Sequence, residues 1–387
     1  MDTIIATGVV GILILGAVLM FSYRKKALSG DEPAPMSALI AILFTSGLDG
    51  GFILLPLIEF DQYSHDEIYH FTNPLALEMG FWGISAWAMY FVSTLYFLTL
   101  EPKLKLFEIT WVKRLSACVV IATCAFTLSL FLDLMPHYLP NDLKQNSMLL
   151  SALTSLIIIA SLVISIKTQL MTMVSKVSVI AFVVLCGYLA WLVQFSLADL
   201  HQSALLSVDY FSHAHRFILP FNDYHEFYLA WWMTWSIMLG QFVAKFVKNL
   251  KPMMLFVVMT ILPLLPSFIW FSILFELFES NYVLGSGSKI AMLILGCAFV
   301  INSIDFMVAN YSQTFNLTLD KQGPVKFVAV NTAILLILTY LFQSQWVFVQ
   351  TAASLVVLIV FLLLTKQALA LLPTLWLNLA PTKKARG

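Results

Sequence analysis

Three tryptophans crowd one apolar stretch: Trp231, Trp232 and Trp235, in YHEFYLAWWMTWSIMLGQFVAK (224–245). At about 100° per residue, 231 and 235 lie one helical turn apart and 232 lies three residues before 235, so a helix carries the indoles on one side. In a lipid-facing helix Trp sits at the ends, in the interfacial belt. A cluster reaching into the span reads instead as a lining. Indole faces are the best cation–π surface a protein offers, and quaternary ammonium is the ligand that uses them most clearly. An ordinary belt or a packed helix contact accounts for the same residues without a ligand.

A second constellation is Thr45-Ser46-Gly47-Leu48-Asp49-Gly50-Gly51, in the middle of the apolar run 37–60. Each glycine costs a helix about 1 kcal/mol. An Asp at membrane depth is costly unless it faces a cavity or a partner. Freed carbonyls beside an intramembrane acid describe a discontinuous transporter helix; small residues for close packing explain the glycines but not Asp49. A third is Phe299-Val300-Ile301-Asn302-Ser303-Ile304-Asp305. Oxygens of Asn302 and Ser303, with carbonyls of the break at 47–51, could form a sodium site. Equally, Asn302 and Ser303 could bond a neighbouring helix, with Asp305 in a wet crevice. The run FWGISAWAMY (81–90) adds Trp82, Trp87 and Tyr90 near the outer half of its span.

The chain that must position these residues is 60% hydrophobic and 11% charged over 387 residues. That composition is a polytopic membrane protein. Spans are expected at 4–21, 37–60, 80–100, 115–133, 147–166, 177–198, 226–247, 253–275, 289–310, 325–343 and 346–366, about eleven in all. With them, Lys144, Arg216 and Lys289 fall on one side and the other 18 of the 21 Lys and Arg on the opposite one. The positive-inside rule makes that side the cytoplasm and puts the N-terminus outside and the C-terminus in the cytoplasm. Positive charges follow the first run, at Arg24, Lys25 and Lys26, so it is not a secretory signal peptide. All seven His fall in outer loops or at their edge, which argues against b-type haem. Cys118, Cys124, Cys186 and Cys297 lie in apolar runs and are expected to be packing residues.

Set aside the N-terminal helix and basic loop (1–27), and five spans (37–199) precede an outer interfacial segment (200–225) while five follow it (226–366), before a short cytoplasmic tail (367–387). Odd numbers of spans per half force the halves into opposite orientations. Five plus five, each half opening on a broken or functionally loaded helix, is the pattern of inverted-repeat secondary transporters.

Here the residues resemble the betaine/choline/carnitine transporter family. FYLAWWMTWS resembles that family's signature segment, whose closely spaced Trp set surrounds a trimethylammonium group, and Trp231, Trp232 and Trp235 match it. FTSGLDGGFILLPLIE (44–59) resembles its glycine-rich broken helix, which ends in a Glu. FWGISAWAMY is similar to its other aromatic motif, matching Trp82, Trp87 and Tyr90. SGDEPAPMS (29–37) before the broken helix, and FIWFS (268–272) and FVINSID (299–305) after it, also fit in the right order, so the resemblance covers about residues 20 to 310. It implies an all-α integral membrane protein with a LeuT-like 5+5 inverted-repeat core and one additional N-terminal transmembrane helix, in a plasma membrane such as a bacterial inner membrane. It implies ion coupling through Gly47, Leu48, Asp49, Phe299, Asn302 and Ser303, with sodium at Ser303 and Asn302 or a proton as the coupling ion, and a homo-trimer.

The sequence also departs from the family. It has one N-terminal span fewer than the usual twelve, and minimal charged tails, so no tail-mediated osmotic regulation is expected. The helix at 115–133 lacks the glycine-rich pattern and offers Thr123, Thr127 and Ser129, leaving a second sodium site unsupported. Asp49 stands where the family mostly has glycine, although some proton-coupled choline carriers have an Asp in that segment. The expected function is ion-coupled symport or exchange of a small methylated amine such as choline, glycine betaine or carnitine. The partners are that solute and the bilayer, not nucleic acid, with no cofactor beyond the coupling ion. Asp49 would favour choline over zwitterionic betaine, or carry a proton. Two other classes stay open: a receptor or accessory subunit that keeps the cage without transport, and a headgroup-modifying membrane enzyme using His213, His215 and Asp209, which lack a metal-ligand pattern.

Overall fold

The structure, a computed structural model, describes residues 2–355 and 357. Helices α1 (Asp2–Tyr23), α2 (Met36–Gly47), α3 (Gly50–Leu54), α4 (Pro56–His65), α5 (Pro74–Glu78), α6 (Ala86–Thr99), α7 (Glu101–Leu104), α8 (Thr110–Tyr138) and α9 (Ser147–Ser165) come first. They are followed by α10 (Thr168–Leu192), α11 (Leu197–His213), α12 (Asp223–Phe246), α13 (Pro252–Phe256), α14 (Leu262–Glu279), α15 (Ser286–Phe315), α16 (Leu319–Gln322) and α17 (Pro324–Gln343). Local chemistry sets many of the ends. Pro56, Pro74, Pro252 and Pro324 open helices where no amide partner is needed. Side chains of Asn73, Asn146 and Asn222 accept amides of the first turns of α5, α9 and α12.

Eight helices among the described residues are long and apolar enough to cross a membrane, which makes this a multi-pass membrane protein. Each falls on an expected span. Two other expected spans differ in character. The run 37–60 is cut into α2, α3 and α4, none long enough alone. Helix α12 has the length, but its indoles, phenols and terminal charges lower its mean hydropathy; it is buried by protein rather than offered to lipid. The expected span 346–366 runs beyond the described residues, and the tail 367–387 lies outside them.

The two longest helices, α8 and α15, pack against each other at the centre. Around them the packing is reciprocal: α9 lies on α15, and α17 lies on α8. Helix α12 runs along α6, and α14 packs on α4. Two stretches of the chain have the same build. Pro74 opens five α-helical residues, then a π-helical stretch Met79–Ser85 leads into α6; Pro252 opens five more, then a π-helical stretch Val257–Ile261 leads into α14. The first π stretch packs on α14 and the second on α6. Helix α1 leans on α6 and leaves Ile14, Val18 and Phe21 exposed, the apolar face of a helix in lipid.

The connection after α1 is tied to the far end of α12. Amides of Gly30, Glu32 and Ala34 donate to the carbonyls of Val247, Lys245 and Phe246 at 2.8–2.9 Å, and Leu28 and Leu250 exchange both bonds. These contacts satisfy carbonyls that a helix end leaves open. A Cβ at Gly30 would lie 1.9 Å from the Ala244 carbonyl oxygen, so only glycine fits there. In the segment expected to be interfacial, α11 begins with a capping box between Ser196 and Asp199 and leaves Leu205, Val208 and Phe211 exposed. The cysteines are free, but Cys118 is exposed rather than packed, because it lies on the outer face of α8.

Candidate functional site

The break in the second span is two residues long. Leu48 and Asp49 are both extended (φ −117°, ψ 141° and φ −123°, ψ −172°), so the ladder of α2 stops and α3 starts afresh. Asp49 is the cap of the new helix: its Oδ1 accepts the amides of Gly51 at 2.8 Å and Phe52 at 3.3 Å. Its Oδ2 is buried without a partner. This capping role is one that the expectation for Asp49 did not contain. Later carbonyls of the segment are held by distant side chains. Trp270 Nε1 donates to Phe52 O at 3.0 Å, and the Tyr138 hydroxyl to Leu54 O at 2.5 Å.

The glycines let aromatic rings touch this backbone. A Cβ on Gly47 would sit 2.4 Å from Trp87 Cη2; one on Gly51 would sit 3.0 Å from Trp82 Cη2 and 3.2 Å from Trp231 Cη2. Trp82 stands edge-on to Trp232 (centroids 4.8 Å) and to Trp231 (5.4 Å). Tyr90 meets Trp232 at 6.3 Å and Trp87 at 5.3 Å. Of the six expected aromatic site residues, five form this continuous cluster beside the break. Trp235 is buried one turn further along α12 and has no aromatic ring partner among the described residues.

Trp231 and Trp232 are stacked face to face, with centroids 4.7 Å apart and planes 11° from parallel. Rings in direct contact leave no room for a cation between them, so in this conformation the pair is closed. The indole nitrogens of Trp231, Trp232 and Trp235, the Tyr90 hydroxyl and Asp49 Oδ2 are all buried without a hydrogen-bond partner. Buried polar groups of a native protein are normally satisfied, so such a concentration marks a place where a ligand, ion or water belongs.

The expected ion residues divide. Ser303 Oγ donates to Phe299 O at 3.0 Å and reaches Leu48 O at 3.4 Å, bringing three oxygens of α15 and the break together. Asn302 turns to α10, where it bonds Ser175 and Ser178 at 3.2 and 3.0 Å. Asp305 lines a cavity of about 550 Å³ that also touches Ser46, Lys113, Lys176, Gln241 and Lys245. Ser46 of the lining is the sequence neighbour of Gly47, which touches Trp87.

Sequence reasoning passed over Tyr228, Tyr224 and Glu78. The Tyr228 hydroxyl accepts from Trp82 Nε1 at 2.9 Å and gives Glu59 Oε1 a short hydrogen bond; Tyr224 donates to the same oxygen at 2.5 Å. Glu78 lies against Glu59, both wholly buried. The signal for Glu78 was an acid inside the apolar run LALEMGFW, hidden by starting that span at residue 80. No family model matches the chain, and no curated protein matches it.

Proposed function

We propose that this protein is a secondary active transporter for a quaternary ammonium compound such as choline, glycine betaine or carnitine, related to the betaine/choline/carnitine transporters. The observation that carries the reading is the packing of Trp82, Trp87 and Trp231 directly onto an interrupted helix whose cap, Asp49, keeps one carboxylate oxygen unpartnered. Desolvated indoles offer a methylated ammonium about 2 kcal/mol or more per contact. The unpartnered carboxylate oxygen supplies the charge that favours choline over a zwitterion.

Reciprocal packing of α9 on α15 and α17 on α8, and the repeated build of α5–α6 and α13–α14, support a 5+5 inverted repeat. The cavity on the side of Lys113, Lys176 and Lys245 supports a state open toward the cytoplasm, with the stacked Trp231–Trp232 pair closed on the outer side. In this reading the pair parts to admit the substrate, the N-terminus is outside, and the membrane is the plasma membrane. If sodium rather than a proton is the coupling ion, the cluster of Leu48 O, Phe299 O and Ser303 Oγ is where it would bind.

Intrinsic Trp fluorescence of the purified protein, titrated with choline and with glycine betaine, tests the binding. Saturable quenching that Trp82→Leu abolishes is the expected result; no response to any methylated amine overturns it. The closed Trp231–Trp232 stack favours one other reading, an accessory subunit whose cage no longer opens. Counterflow of labelled choline in vesicles without an ion gradient separates the two, since only a transporter exchanges.

A further inference from the structure

Beyond Tyr228 lies a pair of buried carboxyl groups. Glu59 stands on α4, just past the break, and Glu78 ends α5, one residue before the π-helical stretch that carries Trp82. Both are wholly buried and neighbours of each other. Glu59 Oε1 accepts two hydroxyls, from Tyr224 and Tyr228, while its Oε2 has no partner. Neither oxygen of Glu78 has one, and nor does the Tyr63 hydroxyl beside both carboxyls. Neither acid is ion-paired to a described residue.

The groups around the pair are phenols: Tyr63 of α4, Tyr69 of the turn Glu67–Tyr69, Tyr138 of α8, and Tyr224 and Tyr228 of α12. Glu226 of α12 is also buried, between Tyr224 and Tyr228 in sequence; Asp66 accepts the Ile68 amide and Asp133 of α8 the Gln343 side-chain amide. On α14, Glu276 faces Asp199 and Glu279. On α11, Asp209 takes the Thr72 hydroxyl and lies beside His213; His225 of α12 is enclosed by Phe81, Phe217 and Phe221. Two bare negative charges in contact, with no cation, are not a stable buried arrangement. One proton resolves it and supplies a donor between the two carboxyls. Two phenol donors mark Glu59 as the ionised acceptor, so the proton belongs on Glu78, directed at Glu59 Oε2.

We propose that Glu59 and Glu78 hold one proton between them, carried by Glu78, and that this pair binds the coupling proton of transport. The coupling half rests on the transport reading above. The connection to the cage is the line Trp82 Nε1–Tyr228 hydroxyl–Glu59 Oε1. A hydroxyl that accepts a hydrogen bond is a stronger donor. When Trp82 leaves Tyr228 to admit a cation, Glu59 loses stabilisation as an anion and the pair holds its proton more firmly. By reciprocity the proton favours the cation, which is symport.

The shared proton is read by infrared spectroscopy in H₂O and D₂O, whatever the protein transports. The wild type is expected to show a deuterium-sensitive protonated-carboxyl band that Glu78→Gln removes, Glu78→Asp keeps and Tyr228→Phe shifts. A band intact in both Glu78→Gln and Glu59→Gln overturns the inference. Coupling is read in vesicles of phosphatidylethanolamine and phosphatidylglycerol, with the membrane potential clamped at zero and the outside more acid by about one pH unit. The wild type accumulates choline about tenfold at one proton per substrate. Glu78→Gln loses the accumulation and flattens the pH profile of counterflow, whereas a merely structural role lowers counterflow equally at every pH. Wild-type accumulation in Glu78→Gln overturns the coupling role. No counterflow of choline, betaine or carnitine in the wild type overturns the transport reading and the coupling with it; the infrared result then decides the shared proton alone.

Discussion

The indole Nε1 of Trp82 and the hydroxyl of Tyr228 meet at 2.9 Å, joining the two halves of the chain at the point where the aromatic cluster ends and the buried carboxyls begin. Among the described residues Tyr228 alone is bonded to both, through its short contact with Glu59. Its removal orphans the Trp82 N–H and takes one of two donors from Glu59.

Tyr228→Phe is therefore expected to destabilise the protein by about 1–3 kcal/mol, the cost of leaving a buried polar group unmade. It is also expected to shift the Trp emission. Tyr224→Phe removes a donor from the same Glu59 oxygen but leaves the Trp82 bond, so it should lower thermal stability with the emission unchanged. Equal spectra in the two variants would show that the Trp82 bond is not formed.

Asp49 combines a cap with an unpartnered carboxyl oxygen, and two substitutions separate them. Asn caps as well as Asp, whereas Ala costs about 0.5–2 kcal/mol at such a position. Asp49→Asn should keep the unfolding temperature and weaken choline relative to glycine betaine in fluorescence titrations. Asp49→Ala should lose stability as well. An unchanged choline-to-betaine preference in Asp49→Asn would leave the residue as a cap only.

The break itself was legible because three glycines and an acid contradict an otherwise continuous apolar run, and the structure interrupts the helix at Leu48–Asp49. The aromatic cluster was legible as a set of residues but not as a shape. Spacing along α12 gives the angles between Trp231, Trp232 and Trp235, yet what stacks two of them and separates the third is their surroundings, with Trp82 and Gly51 meeting the first pair. Asn302 shows the same limit. Its amide suits an ion or a helix contact equally, and that it bonds Ser175 and Ser178 on α10 is visible only in the structure. Glu78 was missed because a span boundary drawn by hydropathy left it outside.

Outside the membrane, the start of α11 carries a pH-dependent cap. Hydrogen bonds from the Ser196 hydroxyl and amide hold the Asp199 carboxyl below its usual value of 3.8. A group lowered by folding contributes above its unfolded value and stops contributing as pH falls through its folded one. Protection of the Ser196, Asp199 and Leu200 amides, taken as the exchange rate against its intrinsic value at each pH, should thus be constant near neutral pH and fall only in acid below the ordinary carboxylate range. Ser196→Ala should raise exchange there at all pH values and remove that dependence. A flat profile in the wild type would mean that the box does not form.

Contact between Gly47 and Trp87 can be tested by adding a single carbon. A Cβ at residue 47 would lie 2.4 Å from Trp87 Cη2, with no flexible side-chain end to give way. Gly47→Ala should cost about 1–3 kcal/mol as overpacking and displace Trp87 from the break. Trp87→Phe removes the colliding edge, so the double variant should recover part of the loss, a coupling of about 0.5–3 kcal/mol in a double-mutant cycle. Gly187 on α10 is the control, because nothing lies within 4 Å of a Cβ there. Gly187→Ala should be neutral or stabilising by about 0.5–1 kcal/mol. If Gly47→Ala behaves like Gly187→Ala, Trp87 does not pack on the broken helix, and the aromatic site must be rebuilt without it.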